Sequence, residues 1–166
     1  YVATGDKEIF KEVVEKGGNC VLTEMDHQTG TDRIFEAYKK LNLNNIDYIV
    51  NLQGDEPMID IEDIKNLNNK AIDEKSEIAT LACNIKDEAI FNKSNIVKVN
   101  TEKELFKDNV SKAKNFLREI FFQNNYNIYH HIGIYIYKVS VLEKFVNLKQ
   151  TKNEKLHKLE QLRAID

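Results

Sequence analysis

Apolar positions recur along this chain with two periods, and the points where the period changes divide it into elements. From Tyr48 an apolar, partly β-branched run, Tyr48-Ile49-Val50-Asn51-Leu52, ends abruptly in the polar turn Gln53-Gly54-Asp55-Glu56-Pro57. A buried parallel strand reads this way when its carboxyl end opens at a crevice. In open α/β sheets ligands bind beyond such strand ends, and Gly54 can bend the turn while Pro57 stiffens it. Gly-Asp-Glu-Pro also reads as a plain polar turn, because motifs this short recur by chance.

The same alternation of period extends to both sides. Residues 1–4 read as a strand, and Asp6 can cap a helix in which Ile9, Phe10, Val13 and Val14 recur at helical spacing before Gly17-Gly18 stops it. A short strand over 19–23 leads to the polar loop 26–33, then to a helix with Ile34, Phe35, Tyr38 and Leu41 on one face. After the 48–53 strand, a helix is expected over 61–73 with Ile64, Leu67 and Ile72 turned inward. Strand followed by helix three times over predicts βαβ units, and so a mostly parallel sheet with helices on both faces. Further strands are expected over 77–85, 96–99 and 128–139, with a short helix-like piece at 87–91 and charge at the edge of the 96–99 strand. Residues 102–127, rich in Asn and Lys, predict a loop-rich excursion. Ser140 is expected to cap a helix reaching Val146, and Leu156, Leu159, Leu162 and Ile165 predict one last helix.

At 166 residues the chain fits one domain over 1–166, and its 42% hydrophobic and 31% charged residues are those of an ordinary globular protein. A net charge of −3 and the lack of a basic stripe argue against a nucleic-acid surface. No apolar run approaches the roughly 18 residues that cross a bilayer. Cys20 and Cys83 each sit in a strand-like run without a ligand-spaced neighbour, which predicts buried reduced thiols and a cytoplasmic setting, with a disulfide as the alternative. Residues 1–4 resemble the second half of a strand, and the pattern over 156–166 carries no stop signal. An excerpt of a longer protein is therefore expected.

The candidate chemistry lies in a few places. In the 26–33 loop Gln28, Thr29 and Thr31 offer uncharged donors, Gly30 allows close approach of backbone, and the loop feeds a helix N-terminus suited to phosphate. The loop also reads as a capping segment, with Thr29 or Thr31 as the cap. Asp55 suits a hard cation such as Mg²⁺, which takes one or two carboxylates together with substrate phosphates. His27, His130, His131 and His157 lack zinc spacing, and of the 130–131 pair one faces each side of the strand. Glu160 and Gln161 read as a solvated face unless other groups join them. No Cys/His or Ser/His pairing points to covalent catalysis.

In this order and spacing, Val2-Ala3-Thr4, the 26–33 stretch Asp-His-Gln-Thr-Gly-Thr-Asp-Arg, the 50–57 stretch Val-Asn-Leu-Gln-Gly-Asp-Glu-Pro, Ala79-Thr80-Leu81-Ala82, Val97-Lys98-Val99, His131-Ile132-Gly133-Ile134-Tyr135 and Leu159-Glu160-Gln161-Leu162-Arg163 closely resemble the 3-deoxy-manno-octulosonate cytidylyltransferases (CMP-Kdo synthetases). The resemblance implies a Rossmann-like nucleotidyltransferase fold of the nucleotide-diphospho-sugar transferase type, and the reaction CTP + Kdo → CMP-Kdo + pyrophosphate for lipopolysaccharide synthesis. It implies Mg²⁺ on Asp55, with Gln53 close to the sugar as the second catalytic residue. His131, Tyr135, Glu160 and Gln161 match positions that hold Kdo, and Lys112 stands where the family has a substrate-facing Arg. Gln28, Thr29, Gly30, Thr31 and Arg33 would belong to the cytidine pocket. A homodimer, formed through the sheet carrying 96–139, is implied as well. Three features depart from the pattern: the family's N-terminal phosphate loop and its second metal-binding Asp lie outside this sequence, which predicts an inactive excerpt, and Lys112 lacks Arg's bidentate fork. Alternatives are the related sialic-acid cytidylyltransferases and a nucleotide-binding domain without catalysis.

Overall fold

Capping side chains set where the helices begin. In the computed structural model, which describes residues 1–107, 109–120 and 127–166, strands β1 (Val2–Thr4) and β2 (Cys20–Leu22) pair in parallel and flank helix α1 (Lys7–Glu15) in sequence. The Asp6 carboxylate accepts the Glu8 and Ile9 N–H groups at 2.7 and 3.1 Å, which leaves two fewer unpaired donors at that helix start. Just past its end, Gly17 takes φ +78°, the left-handed conformation that lets the chain turn back. Thr29 caps helix α2 (Gly30–Leu41), accepting the Asp32 N–H at 3.2 Å. Strand β3 (Tyr48–Leu52) follows, then α3 (Ile61–Asp73), capped by Asp60, and β4 (Ile78–Cys83). After a 3₁₀ turn at Glu88–Asn92 come β5 (Lys98–Thr101), β6 (Ala113–Leu117) and the long β7 (Ile128–Lys138). Helices α4 (Val139–Asn147) and α5 (Lys152–His157) and a 3₁₀ turn at Glu160–Ala164 complete the chain.

The sheets correct the expected topology. The parallel pairing is that of β1 with β2, whereas every pairing in the five-stranded sheet is antiparallel. β3, β4 and β5 all run opposite to β7, so they are parallel to one another, as βαβ units require, but β7 lies between β3 and β4. Tyr137 of β7 pairs with Ile49 of β3 on one side and with Ile78 of β4 on the other. His130 pairs with Lys98 and with Cys83, so β5 lies along the same edge of β7 as β3. Helices do cover both faces of this sheet. Ile134 and Ile136 pack with Leu67 and Ala71 of α3, and Tyr137 on the opposite face packs with Leu142 and Phe145 of α4 and with Ile34 and Phe35 of α2. Among the described residues no helix is long and apolar enough to cross a membrane.

Five local expectations are also corrected. The 102–127 stretch contains β6, an edge strand with Lys114 and Asn115 exposed and Phe116 turned into the core; its residues 108 and 121–126 lie outside the described ones. Lys98 is buried rather than at an edge, its ammonium donating to the Lys93 and Arg118 carbonyls at 2.7 and 2.6 Å. Ser140 lies inside α4, whose flanking residue is Lys138. The expected last helix is broken at Lys158, which takes φ +52°. Arg118 there draws the His157 and Lys158 carbonyls out of the helical ladder with bonds of 2.6 and 2.9 Å. Cys20 and Cys83 are both free thiols, Cys20 half-buried and Cys83 exposed.

The break lets Arg163 reach back to Glu154, and both are buried. Nε of Arg163 donates to Glu154 Oε2 at 2.9 Å, Nη2 donates to Oε1, and the guanidinium stacks over Phe145 at 4.9 Å. Burial alone would raise the Glu154 carboxyl, but the Arg163 fork and the Thr151 and Gln150 N–H groups hold it below its usual range. Removing one member leaves the other charge buried and unpaired. Glu154→Ala is expected to lower unfolding free energy by about 3–5 kcal/mol, read from urea denaturation; a change below ~1 kcal/mol contradicts this account.

Candidate functional site

The end of β3 is held in shape by its neighbours. Glu56 N–H donates to the Gln53 carbonyl at 3.2 Å, closing the Asp55 turn on itself. Glu56 then turns inward, and its Oε1 accepts the Gly133 N–H of β7 at 3.3 Å. That N–H points to the edge of β7 that carries β3 and β5 and falls in the gap between them: β3 pairing ends with Leu52 opposite Ile134, and the next backbone bond on that edge runs from the His131 N–H to the Val97 carbonyl. A β-carbon at Gly133 would lie 3.5 Å from Glu56 Oε1 and 3.7 Å from Gln53 Cγ, in van der Waals contact with both side chains. The Gln53 amide reaches the other way, lying 3.3 Å from where a Gly30 β-carbon would be. Gln53 thus sits between the start of α2 and the middle of β7. Asp55, exposed at the tip, makes no hydrogen bond among the described residues.

The start of α2 supplies a second wall. Thr29 both caps the helix and donates its hydroxyl to Asp32 Oδ2 at 2.8 Å, and Thr31 is buried with its hydroxyl 3.5 Å from that of Tyr137. Gln28 is exposed and, with Asp32, Lys149, Gln150 and Arg163, lines a groove of about 410 Å³. Arg33 turns away from this wall, donating to Thr23 Oγ1 (2.6 Å) and to the Glu24 and Met25 carbonyls (2.8 and 3.2 Å), which pins the 23–25 segment to α2. Behind it His27 contacts Glu36. Burial alone would raise the Glu36 carboxyl, yet Lys40, His27 and the Glu24 N–H bring it down to about 2.

The third wall is one face of β7. The ring centroids of His131 and Tyr135 are 5.3 Å apart and those of Tyr135 and Tyr137 5.9 Å, and Phe116 of β6 meets His131 edge-on at 5.1 Å. Burial, with a contribution from His130, lowers the His131 imidazole to about 4, so it is neutral at physiological pH. Burial likewise raises both phenols, that of Tyr135 well above its usual range. Glu160 is half-buried against this row, its carboxyl raised by burial against the pull of Thr31, Thr29 and Arg163, and its Oε1 has no hydrogen-bond partner among the described residues. Gln161 follows on the same 3₁₀ turn, half-buried.

His131, Tyr135, Glu160, Gln53 and the Thr29–Thr31 segment therefore converge. Lys112 is not brought to them: it is exposed before β6, its carbonyl accepts the Glu102 N–H at 2.9 Å, and no hydrogen bond or ion pair engages its side chain among the described residues. Three contributors went unnoticed in the sequence: Glu56, Phe116 and Thr80. Only Thr80, a polar residue in an apolar strand, left a readable signal there. The walls present hydroxyls, amides, a neutral imidazole and a carboxyl of raised affinity for protons. That set suits a polyhydroxylated ligand, with the exposed Asp55 beside it for a hard cation.

The whole chain, residues 1–166, matches the family model described as cytidylyltransferase. A protein of Thermodesulfovibrio yellowstonii named 3-deoxy-manno-octulosonate cytidylyltransferase is 41% identical, the match covering 100% of this chain and 69% of the relative. Its namesake in Brucella canis is 40% identical over 99% of this chain and 66% of the relative. The solved structure of CMP:2-keto-3-deoxy-manno-octonic acid synthetase complexed with CTP superposes with a TM-score of 0.82 at 33% identity, covering 96% of this chain and 64% of that one. The chain thus spans about two thirds of the length of the relatives it matches.

The buried imidazole has a consequence for stability. Between pH 6.5 and about 4 the unfolded chain protonates residue 131 while the folded chain does not, so stability falls as pH drops through that window. The loss attributable to this residue reaches at most about 3 kcal/mol. His131→Gln is expected to have a shallower dependence than the wild type in urea unfolding at pH 7 and pH 5; equal slopes contradict the assignment.

Proposed function

The chain belongs to the cytidylyltransferase family, and from that premise we propose that it transfers CMP from CTP to 3-deoxy-D-manno-octulosonate (Kdo), releasing pyrophosphate. The observation that carries this reading is the link between the Asp55 turn and β7. The Glu56 bond to Gly133 holds the turn bearing Asp55, a carboxylate that would take a cation, beside a row of uncharged groups suited to a sugar. The relatives that match the full chain carry the Kdo enzyme's name, which favours Kdo over sialic acid.

In the reaction the anomeric hydroxyl oxygen of Kdo bonds to the α-phosphorus of CTP. The bond from that phosphorus to the bridging oxygen breaks, pyrophosphate leaves with the electron pair, and the hydroxyl proton passes to solvent. Such transfers gain from positioning and charge neutralisation more than from covalent help by the protein. His131, Tyr135, Glu160 and Gln161 would hold the sugar, with Gln53 between it and the nucleotide. Gln28, Thr29, Gly30 and Thr31 would border the cytidine, while Arg33 acts by bracing the 23–25 segment behind them. The neutral imidazole and un-ionised phenols add no charge against an acid sugar.

Mg²⁺ fits this donor set as a shared ligand. Asp55 offers one exposed hard-oxygen carboxylate, and no cluster of three metal-binding side chains occurs among the described residues, so triphosphate oxygens and water would complete the coordination. When bound, Mg²⁺ would supply neutralisation of charge on the triphosphate. We further propose a cytoplasmic homodimer that serves lipopolysaccharide synthesis. The exposed Phe106 (65%) and Val110 (46%), beside the β5–β6 edge, support an interface there.

A pyrophosphate-release assay tests the reading. In a protein that also carries the family's phosphate loop and second metal-binding Asp, turnover is expected with CTP and Kdo, to be abolished by EDTA and restored by Mg²⁺, and to fall about 100-fold or more in Asp55→Asn. Preference for N-acetylneuraminate, or full activity of Asp55→Asn, contradicts it.

A further inference from the structure

Thr80 lies on β4 where the β4–β7 ladder shifts register, opposite Tyr135. Its hydroxyl oxygen is within hydrogen-bond distance of three groups: the Ile134 carbonyl at 2.6 Å, the Ile132 carbonyl at 3.2 Å and His131 Nε2 at 3.0 Å. A threonine hydroxyl has one proton and two lone pairs. Carbonyl oxygens accept only, so the proton goes to the β7 backbone, with Ile134 at the shorter distance. What the hydroxyl offers His131 is then a lone pair, and Nε2 has to carry the hydrogen. In a neutral imidazole the other nitrogen is left bare. His131 Nδ1 makes no hydrogen bond to any described residue, and it is not among the buried side-chain atoms left without a partner.

We propose that Thr80 is a positioning residue that fixes His131 as the Nε2–H tautomer, so that Nδ1 meets the sugar as a hydrogen-bond acceptor and selects a hydroxyl donor on it. The same lone pair repels a carboxylate or carbonyl oxygen placed there. His131 thus recognises a hydroxyl of the sugar, and the acid group of the substrate is read elsewhere. The ring has little freedom to do otherwise, because Phe116 meets it edge-on and Tyr135 lies 5.3 Å away. This inference rests on the proposed Kdo activity for the identity of the ligand, but the tautomer itself does not depend on it.

Two measurements separate these parts. Two-bond ¹H–¹⁵N spectra of the ligand-free protein at pH 7 are expected to show His131 with a protonated Nε2 and a bare Nδ1. Thr80→Val, which keeps the shape and removes the hydroxyl, is expected to lose that preference, and Thr80→Ser to keep it. In pyrophosphate release, Thr80→Val should raise KM for Kdo about 3- to 10-fold, the effect of one neutral hydrogen bond. KM for CTP should be unchanged, and Thr80→Ser should behave as the wild type. A proton on Nδ1 in the wild type overturns the proposal, as does a tautomer unchanged in Thr80→Val. The expected tautomers combined with an unchanged KM for Kdo overturn the role in sugar recognition. The expected tautomers in a protein with no Kdo activity support the role of Thr80 and refute the assigned substrate instead.

Discussion

One hydrogen bond, from the Gly133 N–H to Glu56 Oε1, joins the two halves of the site. It spans a long stretch of sequence, yet it is local in space, because that donor falls in the gap on one edge of β7 between the end of β3 and the start of β5. A buried donor left unpaired is costly, and a carboxylate acceptor makes a stronger bond than a neutral one. The gap between β3 and β5 therefore creates a demand that Glu56 meets, and in doing so Glu56 fixes where its neighbour Asp55 projects. Gln53 fills the remaining space between Gly133 and the start of α2.

β7 is the common element of every wall. Its face bearing Ile134 and Ile136 is covered by α3, and the face bearing His131, Tyr135 and Tyr137 lines the site before passing into the core under α2 and α4. Burial that stabilises the sheet also sets the chemistry, because it keeps the imidazole neutral and the phenols protonated. The Glu154–Arg163 pair extends this support, since it fixes the turn that carries Glu160 and Gln161. Stability and recognition thus draw on the same side chains.

Much of this was legible from residue order. Asp6 and Thr29 cap helices as their spacing indicates, the three βα units form, and the Gly-Asp-Glu-Pro turn does follow a strand. His131 and Tyr135, four apart on a strand, share a face. The failures have a common cause in long-range contacts. Nothing local announces that β7 inserts antiparallel between β3 and β4. Its eleven residues, buried in alternation on both faces, need a partner on each edge, and only the assembled sheet supplies them. β6 is an edge strand with polar outward positions and so lacks the apolar run that marks a central one. The last helix looked continuous because its leucines keep helical spacing. The break comes from Arg118, far away in sequence, capturing its carbonyls. Arg33, which the motif grouped with the nucleotide loop, braces neighbouring backbone for the same reason: its partners are visible only in three dimensions.

The most direct test of the link between the Asp55 turn and β7 is the Mg²⁺ dependence of CMP transfer in Glu56→Ala compared with Glu56→Gln. Glu56→Gln keeps an oxygen that can accept the Gly133 N–H, and should need nearly the wild-type Mg²⁺ concentration for half-maximal rate. Glu56→Ala frees the turn and should need about 10-fold more, the effect of losing one charge-assisted hydrogen bond. A Glu56→Ala protein with wild-type Mg²⁺ dependence would contradict the account.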